Sequence, residues 1–170
     1  RNNFYTKSPM RLDDILDHVD EREDTISYLD FFPKTFQFDN DKFDEFETFM
    51  QEEYYNDYSK KISWIIMGLV SYYESEIYLD EVDYKDERLN RLLHENLLDY
   101  LEYREISKII KHFCLHEESG LKIALIDKDN LALVLYEGGI RLSFYNLTAS
   151  QREVAEKLVI SQGFYFKEAR

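Results

Sequence analysis

The run Leu121-Lys-Ile-Ala-Leu-Ile-Asp-Lys-Asp-Asn-Leu-Ala-Leu-Val-Leu-Tyr-Glu-Gly-Gly-Ile-Arg-Leu-Ser-Phe-Tyr145 decides the fold. Leu121, Ile123 and Leu125 alternate with Lys122 and Ala124, the period of two expected of a strand. Asp127-Lys-Asp-Asn130 has turn chemistry, because short Asx side chains bond the neighbouring backbone. Residues 131–136 are apolar on both faces, which predicts a central strand. Glu137-Gly-Gly139 supplies a hairpin turn, since glycine tolerates positive φ. Ile140, Leu142 and Phe144 then alternate with Arg141, Ser143 and Tyr145. The stretch reads as three antiparallel strands in a meander.

Toward the C-terminus, Thr148-Ala-Ser-Gln151 and Ser150-Gln-Arg-Glu153 both have the spacing of a capping box. They predict a helix over 149–162 that turns Val154 and Leu158 inward, with Ala155 and Val159 beside them. Gly163 is a C-cap, and Phe164-Tyr-Phe166 is a fourth strand. Residues 119–170 are thus expected to follow the order β-β-β-α-β.

Toward the N-terminus the period becomes 3.6. Ser8-Pro9 predicts a helix start, followed by Leu12, Ile15, Leu16 and Val19 at helical spacing. Residues 21–25 read as a solvated turn. Residues 26–38 show no single period, with Phe36-Gln-Phe38 as an extended piece. A helix over 41–58 carries Phe43, Phe46, Met50 and Tyr54. A second, over 60–79, carries Ile62, Ile65, Ile66, Leu69, Val70, Tyr73 and Ile77, with Trp64 and Met67 opposite, and reads as the core helix. Leu89, Leu92, Leu93, Leu97, Tyr100 and Leu101 predict a helix over 86–103. Ile106, Ile109, Ile110 and Phe113 continue out of phase, so the helix breaks near 103–105 or changes its buried face. The expected class is α+β in one compact domain. An acidic N-terminal helical region of about four to five helices, residues 1–118, packs with the C-terminal antiparallel sheet, residues 119–170.

Charge is distributed unevenly between those regions. Residues 1–118 hold 14 Lys/Arg against 29 Asp/Glu, a balance of -15, and residues 119–170 hold 7 against 6, so the total is -14. Nucleic-acid affinity rests on neutralising phosphates with cations, so this field argues against direct nucleic-acid binding and against anionic membranes. The longest apolar run, Ile62 to Val70, is far short of the roughly 20 residues a membrane span needs. One cysteine, Cys114, forbids an internal disulfide and points to a reducing, cytoplasmic setting. The sequence begins at Arg1 without a Met, which leaves an upstream targeting segment open.

No phosphate-binding glycine loop, dinucleotide fingerprint, nucleophile elbow or paired C-x-x-C occurs, so no cofactor is expected. Asp39-Asn-Asp41 with Asp44 lacks the glycine of a calcium loop and reads as an acidic helix start. Asp83-Tyr-Lys85 has a nuclease-like spacing but sits in a predicted loop. Asn146-Leu-Thr148 is a glycosylation sequon whose simpler role is to end a strand and cap a helix. Glu105, His112 and His116 fall on one helical stripe, the basis for an alternative reading as a metal-dependent hydrolase. Without the H-E-x-x-H pattern, that stripe more simply borders the apolar face.

The leading expectation is a non-enzymatic acidic binding or inhibitor protein that occludes a basic protein partner, such as a nucleic-acid-binding enzyme or a toxin. Complementary charge steers such an encounter, and tyrosines interleaved with acids suit an interface. Glu45, Glu52, Glu53, Tyr54, Asp57 and Tyr58 are the candidate contacts. A third reading is a structural or regulatory subunit that docks through its sheet.

Overall fold

Alternation along residues 121–145 is realised as β3 (Leu121–Asp127), β4 (Asn130–Tyr136) and β5 (Leu142–Tyr145). The computed structural model describes residues 26–34, 41–116, 119–138 and 141–169, without the side chains of Asp41 and Phe43. The helix expected from Ser8-Pro9, the turn at 21–25 and the extended piece at 36–38 lie outside the described residues. The other elements are β1 (Ile26–Asp30), α1 (Asp41–Glu53), α2 (Tyr55–Tyr72), β2 (Glu74–Leu79), α3 (Glu87–Arg91), α4 (Leu97–Tyr100), α5 (Tyr103–His116), α6 (Ala149–Ser161) and β6 (Tyr165–Glu168). The class is mixed α+β.

One six-stranded sheet runs in the order β2-β3-β4-β5-β1-β6, with every pair antiparallel. The expected β-β-β-α-β order holds for the C-terminal part, and β4 is central. Two further strands come from residues 1–118, β1 from the segment without a single period and β2 from the end of the helix expected over 60–79. β1 inserts between β5 and β6, pairing Ile26 with Tyr145 and Tyr28 with Lys167. β2 borders β3, pairing Ile77 with Ile123 and Leu79 with Leu121.

Residues 74–79 are therefore a strand, not the end of a helix over 60–79. Ile77 continues the helical stripe by coincidence of spacing. Tyr73 turns extended (φ -128°, ψ 150°), and pairing with β3 buries Ile77 and Leu79 at 0% and 1% exposure. Burying such side chains stabilises by about 1.5–3 kcal/mol each. Differences in helix propensity are below about 1 kcal/mol per residue, so burial decides.

The helix expected over 41–58 bends at Tyr54, and α2 begins five residues earlier than the reading placed it. The bonds Tyr54 N to Met50 O (2.9 Å) and Tyr58 N to Tyr54 O (3.0 Å) carry the chain through the bend. α2 is one-sided rather than apolar all round: Ile62, Ile65, Ile66, Leu69 and Val70 are buried, and Trp64 is 63% exposed.

The helix expected over 86–103 is two short ones. Asp86 caps α3, its Oδ1 accepting from the Arg88 amide at 2.8 Å. Asn96 Oδ1 accepts from the Leu98 amide, which caps α4, and from the Ile77 amide on the edge of β2 at 2.9 Å. Those caps, and His94 at φ 67°, end the helical run without glycine or proline.

One sheet face carries Ile77, Ile123, Leu125, Val134, Tyr136 and Phe144 against α2, α5 and α6. The alternate residues Tyr78, Ala124, Leu131 and Leu133 form a second buried cluster on the opposite face. Of the two possible capping boxes, Thr148 forms one: its hydroxyl accepts from Gln151 N at 3.1 Å, and Gln151 Oε1 accepts from Thr148 N at 2.9 Å. Along α6, Gln151, Ala155 and Val159 are the buried positions, and Val154 and Leu158 flank the core half-exposed. Gly163 leaves the helix at φ 86°, as a C-cap requires.

Candidate partner interface

α1 carries Asp41, Asp44, Glu45, Glu47, Glu52 and Glu53 against Lys42, a net charge of -5 over 13 residues. Its apolar side packs inward, with Met50 at 3% exposure. Glu45 and Glu52 are seven residues apart, so they lie about 20° apart around the helix. Asp44, Glu45, Glu47, Glu52 and Glu53 are exposed. Among the described residues no cation pairs with any of them. Some carboxylates elsewhere are neutralised, as in Glu105 with Arg88 at 2.8 Å, Asp30 with Lys167 at 2.6 Å, and Glu168 with Arg152.

Aromatic rings close a circuit beside this helix. Phe31 touches Phe32 (centroids 5.9 Å), Phe32 touches Phe46 (5.2 Å), and Phe46 touches Phe49 (6.0 Å). Phe49 then meets Tyr54 (5.5 Å), Tyr54 meets Tyr58 (6.3 Å), and Tyr58 returns to Phe31 (5.3 Å). All lie within the range over which ring quadrupoles attract. Next to the circuit is a cavity of about 210 Å³, walled by Leu29, Phe31, Phe32, Phe46, Met50 and Tyr55, with Asp30, Glu47 and Arg141 at its edge.

The six residues expected at the interface are not equivalent. Glu45, Glu52, Glu53 and Tyr54 face solvent around the bend, Tyr54 being 45% exposed. Asp57 is exposed but held by Lys61 at 3.2 Å. Tyr58 is half-buried, and its hydroxyl donates to Met50 Sδ at 3.8 Å. Burial raises its pKa above the ordinary 10.0, partly offset by the Lys61 ammonium. That ammonium lies over both the Tyr58 ring (5.8 Å) and the Phe164 ring (6.0 Å).

The histidine stripe has a different organisation. The His112 and His116 rings lie with centroids 4.4 Å apart and planes tilted by 50° at the exposed C-terminal end of α5. Glu105, at the other end, caps α5 by accepting from the Glu102 amide at 3.1 Å and binds the Arg88 guanidinium. Its pKa is lowered by the hydrogen bond from Arg88, then by that from the Glu102 backbone. Among the described residues no three His, Cys, Asp or Glu side chains gather as metal ligands, so Glu105, His112 and His116 are not brought together. Cys114, the sole cysteine, is fully buried. Asn146 is 7% exposed, and its Nδ2 donates to the Leu131 carbonyl at 2.9 Å, so the sequon amide is committed to the fold.

Two features were missed in the sequence. Phe31 and Phe32 come from a segment without a decided period, so the aromatic circuit had no local signal. The cationic run Arg104, Lys108 and Lys111 on α5 was obscured by the regional charge of -15. Among the described residues no helix is long and apolar enough to cross a membrane. No family model, curated protein or solved structure matches the chain.

Proposed function

We propose that the chain is a non-enzymatic binding protein that occludes a basic protein partner with the corner where α1 meets α2. The observation that supports this reading most is a row of exposed, unneutralised carboxylates beside an aromatic-walled cavity. The acids supply long-range steering, and exposed charge of this kind acts over about 8 Å at physiological salt. The cavity and the exposed Tyr54 ring supply the desolvated contact area that concentrates binding energy. Glu45, Glu52, Glu53 and Tyr54 are the primary contacts on this reading. Asp57 and Tyr58 support them, since one is paired and the other half-buried. A cytoplasmic setting, with no direct nucleic-acid contact, fits the single buried thiol and the acidic balance.

Affinity capture from a lysate at low and at high salt tests this. The expected result is one basic protein recovered at low salt, lost at high salt, and lost from a Glu45→Gln, Glu52→Gln, Glu53→Gln variant. Capture that ignores both salt and the triple substitution overturns the proposal.

A further inference from the structure

A second cavity lies on the opposite charge background, between the α3 region and α5. It holds about 390 Å³ and is lined by Tyr84, Lys85, Asp86, Leu89, Lys108, Ile109, His112 and Phe113. That volume falls within the roughly 300–1,000 Å³ typical of small-molecule sites, which the cavity at α1 does not reach. Its floor is preformed. Tyr84 and Phe113 stack almost parallel, with centroids 5.7 Å apart and planes 11° apart. The Tyr84 hydroxyl is tied to the Asp80 carbonyl at 2.9 Å and to Ser119 Oγ at 2.8 Å.

The rim is cationic. Among the described residues neither Lys85 nor Lys108 is in an ion pair. Lys108 feels the charge of Glu105, but that carboxylate is already held by Arg88. The lining acid, Asp86, keeps its charge while its Oδ1 accepts at the cap of α3. Lys85 and Lys108 against Asp86 leave the charged side chains of this lining at +1, in a chain of net charge -14. Steering by such a patch favours a small anion, and the floor favours one with an apolar body.

We propose that this groove binds an amphipathic carboxylate. The head lies between Lys85, Lys108 and His112, and the body covers Leu89, Ile109 and the Tyr84–Phe113 stack. This site is independent of the acidic corner.

The test titrates the full chain with decanoate, decyltrimethylammonium and acetate, following amide resonances. Decanoate is expected to saturate and to move Leu89, Lys108, Ile109 and His112, whereas the other two probes leave them in place. Lys85→Gln with Lys108→Gln should weaken decanoate at least about tenfold without moving the thermal midpoint. If that double variant unfolds, Lys85→Glu alone, in an exposed loop, provides the same reading. Equal binding of the cationic probe, unchanged affinity in the variants, or no saturable shift overturns the proposal.

Discussion

The corner between α1 and α2 and the seam joining the sheet to its flanking loops hold polar groups in opposite ways. At the corner, charges face water without partners. In the seam, they are sequestered and matched. Asp30 and Lys167 are 16% and 17% exposed and bonded at 2.6 Å across β1 and β6. Gln151 is fully buried, with Nε2 donating to the Leu125 carbonyl at 3.4 Å and Oε1 serving Thr148 and Asn130. A buried polar group without a partner costs about 1–3 kcal/mol, whereas a surface substitution usually shifts stability by under about 0.5 kcal/mol. Stability therefore resides in the seam, and recognition, on the proposed reading, resides at the corner. Substitutions should separate the two.

The strongest expected break is on the seam side, at Gly120. Its amide donates to Asp80 Oδ2 at 3.1 Å, and its carbonyl accepts from the Asp80 amide at 3.3 Å. A Cβ there would overlap the Tyr136 carbonyl oxygen. That oxygen belongs to the end of the β3–β4 ladder, where Leu121 pairs with Tyr136, so it has little room to yield. Gly120→Ala is expected to lose about 3 kcal/mol by chemical denaturation. A loss below about 0.5 kcal/mol would show that this end of the ladder relaxes freely.

A smaller effect is expected at Tyr84, which closes the same corner of the seam. Burial raises its pKa above the ordinary 10.0. A phenol held neutral in the folded state contributes stability that is present below pH about 10 and is lost as pH rises through its folded pKa. Tyr58, Tyr78 and Tyr145 are shifted in the same direction, chiefly by burial, so alkaline destabilisation has several sources. Tyr84→Phe should cost about 1 kcal/mol at pH 8, for the lost bonds to Asp80 and Ser119. It should also reduce the fall in thermal midpoint between pH 9 and 11. An undiminished fall would assign the alkaline loss to the other tyrosines.

These differences track how local each signal is. The meander and the Thr148 cap were legible because alternation, turn residues and capping chemistry lie within a few neighbouring positions. β1 and β2 were not, because their status depends on partners far along the chain. Ile26 finds Tyr145 and Ile77 finds Ile123, and neither pairing leaves a local trace. The break within 86–103 was hidden for a related reason, since Asn96 caps α4 while binding β2. At the candidate interface, the exposure of Glu45, Glu52 and Glu53 followed from polarity at helical spacing, whereas Tyr54, read on the apolar stripe with Phe43, Phe46 and Met50, is 45% exposed. The burial of Tyr58 and the aromatic circuit were not legible, because Phe31, Phe164 and Met50 reach the corner from three separate segments.

The smallest expected effect on folding is at the corner itself, and it sharpens the comparison most. Glu45, Glu52 and Glu53 make no ion pair among the described residues, so removing their charge leaves no buried partner behind. Each Glu→Gln change instead relieves self-repulsion within a helix of net charge -5. The triple variant should therefore match or slightly exceed the parent in stability, by at most about 0.5 kcal/mol, with the gain confined to low salt where screening is weak. Thermal midpoints at low and at high salt measure this directly. A clear loss of stability would mean that the carboxylates hold the fold through contacts of their own. The corner would then resemble the seam, and the physical basis for a free anionic surface would be gone.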